Sequence, residues 1–261
     1  MGVAAVALTH VESRSADRSD AANAFSNHVA ALLDRIDCRA ADTPEEREAI
    51  FRLRYDAYVR EGTIAPDPSE AFSDPYDDSE NAHVFGLYLE GELASSIRIH
   101  VASAEQPDFP SHKVFADVLE PELQAGRVLI DYTRFVTSKT LSQLNPALPY
   151  ATLRLGWMAG EHFRAHLLLA AVRVEHQAFY RRTFGHRAIC PPRSYPLLAK
   201  KIGLMAADRE AVTDRVHRRY RFFRSTFFER RMLFDRQLRM PPAFLARQAT
   251  VLPMDAYRPA Q

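Results

Sequence analysis

The sequence predicts a mixed α/β domain in which helices cover both faces of a central β-sheet. From about residue 36 to residue 207, short apolar runs typical of strands alternate with segments of helical periodicity. Hydrophobic residues make up 47% of the 261 residues and charged residues 26%, the ordinary balance of a globular domain. The formal net charge is only +1, so no overall positive field indicates a nucleic-acid partner.

The N-terminal part of the chain predicts an arm, a short helix, the first strand and a longer helix. Residues 11–27 are small and polar, which is typical of a loosely held arm. The segment "HVAALLDRI" then has helical spacing, and "IDCRAA" is the expected first strand. Thr43 and Pro44 indicate an N-cap followed by proline at the first helical position, so a second helix is expected to begin there.

The next part of the chain predicts a hairpin and a central strand. The second helix is expected to stop near Gly62, and a long loop rich in proline and aspartate follows it. "HVFGLYLEGELASSIRIHVA" holds two apolar runs around a Glu-Gly turn, which predicts a β-hairpin. No element is assigned to the variable residues 103–126. "VLIDYTRFVTS" begins as a buried strand.

The second half of the chain predicts alternating helices and strands. The expected elements are a helix in "YATLRLGWMAGEHFRAH", a buried strand in "LLLAAVRV", a short helix in "EHQAFYRRTFG" and strands in "HRAI" and "PLLAKKIGLMA". Arginines and apolar residues recur at helical spacing from residue 208 to 240, which predicts one long amphipathic helix. The chain therefore divides into an arm and short helix (1–34), the α/β domain (35–207), and a basic helix with its tail (208–261).

Asp131 and Arg134 are unexpected in a strand that otherwise consists of core residues. Burying an unpaired charge is costly, so the two residues need either partners or a function. They are three residues apart, and on an ideal strand such residues face opposite sides of the sheet. A structural ion pair and a functional site are both compatible with the pattern.

Four short motifs resemble the acyl-homoserine-lactone synthases and the related N-acyl amino acid synthases, which have the GNAT acyltransferase fold. These motifs are "LRYDAYVREG", "FSDPYDDSENAHVF", "ASSIRIH" and "IDYTRFVTS". The homoserine-lactone synthases usually carry a Trp after the first helix and a Glu on the central strand, where this chain has "REGTIAP" and Asp131. The first motif is more similar to the N-acyl amino acid synthases. The resemblance implies transfer of a long-chain acyl group to the amine of a free amino acid.

The resemblance also assigns roles to individual residues. Asp131 is expected to take the proton of the amine, and Arg134 to bind the carboxylate of the amino acid or to hold Asp131. Tyr180 is expected to protonate the leaving thiolate, although Gly185 follows it by five residues and the GNAT pattern has four. The residues expected to shape the acceptor pocket are Arg54, Asp74, Asp77 and Arg98. The main-chain amides expected to hold the pantetheine arm are those of Phe135, Val136 and Thr137.

Each of these residues also has a purely structural interpretation. The aspartates of the loop are common turn formers, and the arginines of the helix and hairpin are compatible with solvated or fold-bracing charges. A tyrosine on an amphipathic helix is commonly a core residue. His162 and His166 have the spacing of a helical metal pair, but they lack an adjacent glutamate and a clear third ligand. No metal site is therefore predicted.

The acyl donor is expected to be an acyl-phosphopantetheine, and no permanently bound cofactor is predicted. GNAT enzymes that use acetyl-CoA hold its pyrophosphate with a glycine-rich loop, whereas "TSKTLSQLNPALPYATL" at that place contains no glycine. This difference favours acyl-carrier protein over CoA as donor. The basic C-terminal helix is a candidate dock for the acidic carrier protein, and an anionic membrane surface is the alternative partner of the same helix.

Two alternative functions remain open at this point. One is an acyl-homoserine-lactone synthase that uses S-adenosylmethionine, and the other is a catalytically silent GNAT-like domain that binds lipid or a protein partner. The two cysteines have no zinc-site spacing, and no apolar run approaches the roughly 18 residues of a membrane span. A cytoplasmic protein is expected, with the periphery of the inner membrane as the alternative location.

Overall fold

A seven-stranded mixed sheet forms the centre of the molecule in a computed structural model that describes residues 23–195 and 198–235. The strands are β1 (Ile36–Ala40), β2 (Ala82–Leu89), β3 (Glu92–Ala102), β4 (Leu129–Thr137), β5 (Leu167–Val172), β6 (Arg187–Ala188) and β7 (Gly203–Asp208). Their order across the sheet is β1-β2-β3-β4-β5-β7-β6. β4 and β5 are parallel, and the other neighbouring pairs are antiparallel.

Helices cover both faces of this sheet, as the sequence predicts. Residues 23–33 form α1. The later helices are α2 (Pro44–Arg60), α3 (Pro110–Gln124), α4 (Lys139–Leu144), α5 (Leu148–His162), α6 (Gln177–Phe184), α7 (Arg209–Arg219) and α8 (Phe227–Phe234). Within β4, Leu129 packs in a cluster with α3, while Ile130 packs in a cluster with α5. Adjacent strand residues point to opposite faces, so β4 is covered on both sides.

The N-terminus of α2 has the predicted cap. The Thr43 hydroxyl accepts a hydrogen bond from the Glu46 amide at 3.2 Å, and the Glu46 carboxylate accepts one from the Thr43 amide at 3.2 Å. This reciprocal pair is a capping box, and Pro44 occupies the first turn. The cap fixes the start of the helix that carries Arg54 towards the sheet.

Helix α3 is missing from the sequence prediction. Pro110 and Pro121 interrupt the segment, and Phe115 has non-helical backbone angles where two helical pieces join. The buried residues Phe115, Leu119 and Leu123 nevertheless recur every four residues, which is the helical signal that the prolines obscure.

The prediction of one long C-terminal helix is wrong. α7 ends at Arg219 and α8 begins at Phe227, with a short 3₁₀ turn over Arg221–Phe223 between them. Phe222 and Phe223 are 6% and 0% exposed, so their burial in the core turns the chain away from the helical path. Residues 236–261 and the arm over residues 1–22 lie outside the described residues.

In the part of the chain that the structure describes, no helix is long and apolar enough to cross a bilayer.

Candidate active site

A β-bulge in β4 changes the alternation of side chains along that strand. Ser96 of β3 lies opposite Val136, but Arg98, two residues further along β3, lies opposite Thr133. One residue of β3 therefore faces two residues of β4. Arg134 is one of these two, and its φ of 52° is in the left-handed region. The bulge re-aims the arginine side chain.

The bulge overturns the expectation that Asp131 and Arg134 face opposite sides of the sheet. Arg98 donates a hydrogen bond to the Thr133 hydroxyl at 3.2 Å, so its side chain lies on the face that Thr133 shares with Asp131. Arg98 also donates to Asp74, and Arg134 donates to the same carboxylate, Nε to Oδ2 at 3.0 Å. The extra residue thus brings Arg134 to the face that carries Asp131.

Five residues, Arg54, Asp74, Asp77, Arg98 and Arg134, form a buried ion-pair network that we call the charged cluster. Asp77 lies 2.8 Å from Arg54 and 3.0 Å from Arg98. Asp74 lies 2.6 Å from Arg98 and pairs with Arg134. Their side chains are at most 8% exposed. Three guanidinium groups and two carboxylates leave one net positive charge.

The two aspartates of the cluster come from a short turn in the long loop after α2. The Asp74 carboxylate accepts a hydrogen bond from the Tyr76 amide at 3.0 Å, and the Asp77 carboxylate accepts one from the Asp74 amide at 3.1 Å. Burial alone would raise the pKa of both carboxyls, but the neighbouring arginines outweigh it and lower each pKa below its usual value. Both groups are therefore ionised at neutral pH.

Asp131 has different partners from the aspartates of the cluster. Its side chain accepts hydrogen bonds from the Ser111 amide at 3.1 Å and from the Ser111 hydroxyl at 2.8 Å. Complete burial raises the pKa of Asp131 to about 6, while the bonds from Ser111 act in the opposite direction. A carboxylate with a pKa near the working pH is suited to proton transfer.

A cavity of about 270 Å³ opens beside the charged cluster. Asp74 and Arg134 line it, whereas the predicted pocket residues Arg54, Asp77 and Arg98 belong to the network behind the lining. The other lining residues are Pro75, Tyr76, Ser79, Asp108, Pro110, Lys113 and Tyr195. The cavity therefore combines two cationic side chains with aromatic and acidic walls.

The parallel strands β4 and β5 are paired over only part of their length. Their register covers Leu129–Leu167, Ile130–Leu168 and Asp131–Leu169. Beyond these pairs the strands are no longer hydrogen-bonded to each other, although β4 continues to Thr137. The opening is next to the predicted pantetheine-binding amides of Phe135, Val136 and Thr137.

Tyr180 lies on the opposite side of β4 from the charged cluster. Its ring is stacked with Tyr132 at a centroid distance of 6.5 Å, and its edge contacts His186 at 5.6 Å. Tyr132 follows Asp131 in the strand and therefore faces the other side of the sheet. Burial raises the pKa of Tyr180 above its usual value. The structure places this phenol in the core cluster that contains α5 and α6.

Sequence reasoning missed three residues beside the predicted ones: His100, Ser111 and Tyr195. His100 lies opposite Asp131 in the sheet, and its Nε2 donates to the Tyr76 carbonyl oxygen at 3.1 Å. Burial and the charge of Arg98 lower the pKa of His100 to about 3. His100 follows Arg98 by two residues, so strand alternation could have identified it. Ser111 and Tyr195 come from segments without a local signal.

The two histidines of the metal-pair pattern have separate partners. His162 Nε2 lies 3.1 Å from the Asp235 carboxylate, while His166 Nδ1 accepts a hydrogen bond from the Val128 amide at 2.9 Å. Among residues 23–195 and 198–235, no group of three or more His, Cys, Asp or Glu side chains is arranged to hold a metal ion.

Comparisons with known proteins agree with the fold. The solved structure of FeeM, an N-acyl amino acid synthase from uncultured soil microbes, has a TM-score of 0.59 and 21% identity, covering 69% of this chain and 93% of that chain. BjaI, a CoA-dependent acyl-homoserine lactone synthase solved with SAM and isopentyl-CoA, has a TM-score of 0.50 and 18% identity, covering 71% and 89%. A comparison with curated protein sequences gave no match.

The mixed seven-stranded sheet with helices on both faces is the GNAT acyltransferase fold. The family model of the N-acyl amino acid synthase FeeM matches residues 49–208, which is more than half of the chain. The protein belongs to this family of N-acyl amino acid synthases. Two predictions from the sequence are thereby confirmed: the GNAT fold class and the assignment of the protein as an acyltransferase.

Proposed function

We propose that the protein transfers a long-chain acyl group from a phosphopantetheine thioester to the amine of a free amino acid. The observation that carries the proposal is the cavity beside the charged cluster, in a chain of this family. Tyr195 lines that cavity and also interacts electrostatically with Asp131. An acceptor in the cavity would contact the cationic anchor Arg134, whereas Asp131 is fully buried behind the lining and would take the proton through one water.

The acceptor carboxylate would bind to the cationic side of the cavity. Arg134 and Lys113 both line the cavity, and the charged cluster carries one net positive charge. A guanidinium group presents a planar pair of donors that matches a carboxylate. Asp74 already fixes Arg134 through two of its nitrogens, so the anchor would be pre-oriented.

Amide formation requires a neutral amine, and Asp131 would accept its proton. The α-ammonium group of a peptide has a pKa of about 8, and in a free amino acid the neighbouring carboxylate raises it further, so it lies more than two units above the pKa of the Asp131 carboxyl, which is about 6. The surrounding arginines would lower the ammonium pKa, because like charges disfavour the charged form. The amine nitrogen would then attack the thioester carbonyl carbon, the carbon–sulfur bond would break, and the sulfur would take a proton.

The donor arm would lie in the opening between β4 and β5. The amides of Phe135, Val136 and Thr137 are candidates to hold the pantetheine and to polarise the thioester carbonyl. Tyr180 is the proposed acid for the thiolate, since its ring stacks on Tyr132 next to this part of β4. Its hydroxyl would have to reach the sulfur from the face opposite Asp131.

Acyl-carrier protein is the donor that we favour. Helix α4 and the start of α5 follow β4, where GNAT enzymes that use acetyl-CoA carry a glycine-rich pyrophosphate loop, and this segment contains no glycine. At the C-terminus of α7, Arg218, Arg219 and Arg221 are exposed and available to an acidic partner. Acyl-CoA is the second candidate, because the structurally similar BjaI is described as CoA-dependent.

We expect reversal of Arg218, Arg219 and Arg221 to glutamate to raise the KM for acyl-carrier protein with little change in kcat. These charges are exposed, and salt screens exposed charges over about 10 Å at 0.1 M, so high salt should mimic the reversal. Steady-state kinetics with acyl-carrier protein and with acyl-CoA provide the measurement. Turnover of acyl-CoA should be nearly unchanged.

A matched control is reversal of Arg60, Arg164 and Arg187, three exposed arginines elsewhere in the chain, which changes the net charge equally. It should leave both KM values near those of the unmodified protein. If the reversal at α7 instead lowers kcat/KM equally with both donors and also lowers the melting temperature, those arginines stabilise the fold and do not bind the carrier protein.

A membrane surface is a second proposed partner, at α8. Phe227, Phe228 and Met232 are 67%, 71% and 48% exposed, and the Arg231 guanidinium lies 5.7 Å from the Phe227 ring centroid. Exposed aromatic residues beside arginines are typical of helices that lie in the interface of an anionic bilayer. The long-chain product would also partition there.

We expect Phe227→Ala with Phe228→Ala to reduce sedimentation with vesicles that contain anionic phospholipid, and to leave amide synthesis from soluble donors unchanged. Leu144→Ala removes a similarly exposed apolar residue, 73% exposed, from α4 and serves as control. Unchanged vesicle binding of the double variant would remove α8 as the membrane contact.

An assay of acceptor dependence tests the proposed function against the homoserine-lactone alternative. Purified protein is given acyl-carrier protein loaded with a long-chain acyl group, and either a mixture of amino acids or S-adenosylmethionine. Thiol release should depend on an amino acid. Release that depends on S-adenosylmethionine would support the alternative. Family membership does not support the other alternative, a catalytically silent domain.

A further inference from the structure

Asp131 acts as the N-terminal cap of α3, although it lies on a different element. Phe109 precedes the helix and makes no side-chain hydrogen bond to its first turn. Instead, the Ser111 amide in that turn donates to Asp131 Oδ2 at 3.1 Å, and the Ser111 hydroxyl donates to Oδ1 at 2.8 Å. Both side chains are 0% exposed. The Asp131 carboxylate therefore caps α3, and the first turn of α3 fixes the position of the Asp131 carboxylate.

This arrangement fixes the orientation of the carboxylate. Each oxygen accepts one hydrogen bond from Ser111, and a carboxylate oxygen can accept more than one. Each oxygen thus keeps capacity for one more hydrogen bond, which a water between Asp131 and the amine of an acceptor would use. The two bonds and the positive end of α3 favour the charged form of the group, while burial opposes it.

The other charged and polar side chains around Asp131 bind partners of their own. Arg98 and His100 approach from β3, but Arg98 pairs with the aspartates of the charged cluster and His100 donates to the Tyr76 carbonyl. Arg134 pairs with Asp74, and Tyr195 lies on the cavity side. Within residues 23–195 and 198–235, no ion pair involves Asp131.

We infer that Ser111 is a positioning residue for amide synthesis, because its amide and hydroxyl hold the Asp131 carboxylate ionised and in one orientation. The inference rests on the proposed function, in which Asp131 is the base. The Ser111 amide and hydroxyl both donate to the Asp131 carboxylate, so Ser111 would act through Asp131 and not by touching the acceptor.

The test compares pH profiles of kcat/KM for Ser111→Ala, Ser111→Cys and the unmodified protein. Alanine removes the hydroxyl, and cysteine keeps the size but is a weak donor, so it can be measured if the alanine variant fails to fold. In the unmodified protein, kcat/KM should fall below about pH 6 as Asp131 is protonated. Both variants should shift this fall upward by about one pH unit, with about fivefold lower activity at pH 6 that approaches about tenfold at lower pH.

Thr226→Ala is the matched control. The Thr226 hydroxyl caps α8 by accepting from the Glu229 amide at 3.1 Å, so its loss also removes a helix cap. It should lower the melting temperature without moving the pH profile. A profile of the Ser111 variants that superimposes on that of the unmodified protein, while Asp131→Asn is inactive, would overturn the inference and leave the proposed function intact. Full activity of Asp131→Asn would overturn the base assignment itself.

Discussion

Replacing Asp131 by asparagine is expected to leave the fold intact and to lower kcat/KM for amide synthesis by about 10²–10⁴-fold, the usual contribution of a general base. Asparagine has nearly the same shape, and its carbonyl oxygen can still accept a hydrogen bond from Ser111. Its amide nitrogen would face the second donor of Ser111, which predicts a modest loss of stability. The carboxamide cannot accept the proton of an ammonium group.

Steady-state kinetics with saturating acyl donor measure this effect, and circular dichroism checks the fold. Asp78→Asn is a suitable control, because Asp78 is 79% exposed and pairs with Arg47 outside the charged cluster. It should retain full activity. Activity of Asp131→Asn within a few-fold of the unmodified protein would exclude a catalytic role for Asp131.

Replacing Asp77 by asparagine is expected to lower the free energy of unfolding by about 3–5 kcal/mol, the usual cost of breaking a buried ion pair. Asp77 neutralises Arg54 and Arg98, and both arginines are 0% exposed. Arg98 would retain Asp74, whereas Arg54 would lose the carboxylate that lies 2.8 Å from it. Chemical denaturation measures the change. Asp78→Asn is the control and should lower the free energy of unfolding only slightly, because the ion pair of Asp78 with Arg47 is exposed.

The same variant should change how stability depends on pH. The pKa of the Asp77 carboxyl is lowered in the folded protein, so its contribution is present above the pKa of the unfolded chain and is lost as the pH falls through the folded-state value. Asp77→Asn should therefore lose less stability on acidification than the unmodified protein. If Asp77→Asn lowered the free energy of unfolding at neutral pH as little as Asp78→Asn does, the charged cluster would not stabilise the fold as proposed.

Local signals in the sequence predicted the elements that local interactions determine. The Thr43 cap, the hairpin and the buried strand β5 are examples, since capping and apolar patterning act within a few residues. The break after α7 was not predictable in this way. It depends on burial of Phe222 and Phe223 against distant parts of the core.

The site was predictable only in part for the same reason. Motif resemblance identified the five residues of the charged cluster and Asp131, but not how they meet. Strand alternation alone placed Arg134 on the wrong face, because the bulge follows from the pairing of β3 with β4. Ser111 and Tyr195 reach Asp131 and the cavity from distant segments, and no pattern around either residue indicates this.

Mass spectrometry of lipid extracts from cells that express the protein tests the central claim most directly. The account predicts a long-chain N-acyl amino acid that is present with the unmodified protein and absent with Asp131→Asn. An acyl-homoserine lactone in place of the N-acyl amino acid, or an N-acyl amino acid that persists undiminished with Asp131→Asn, would contradict it.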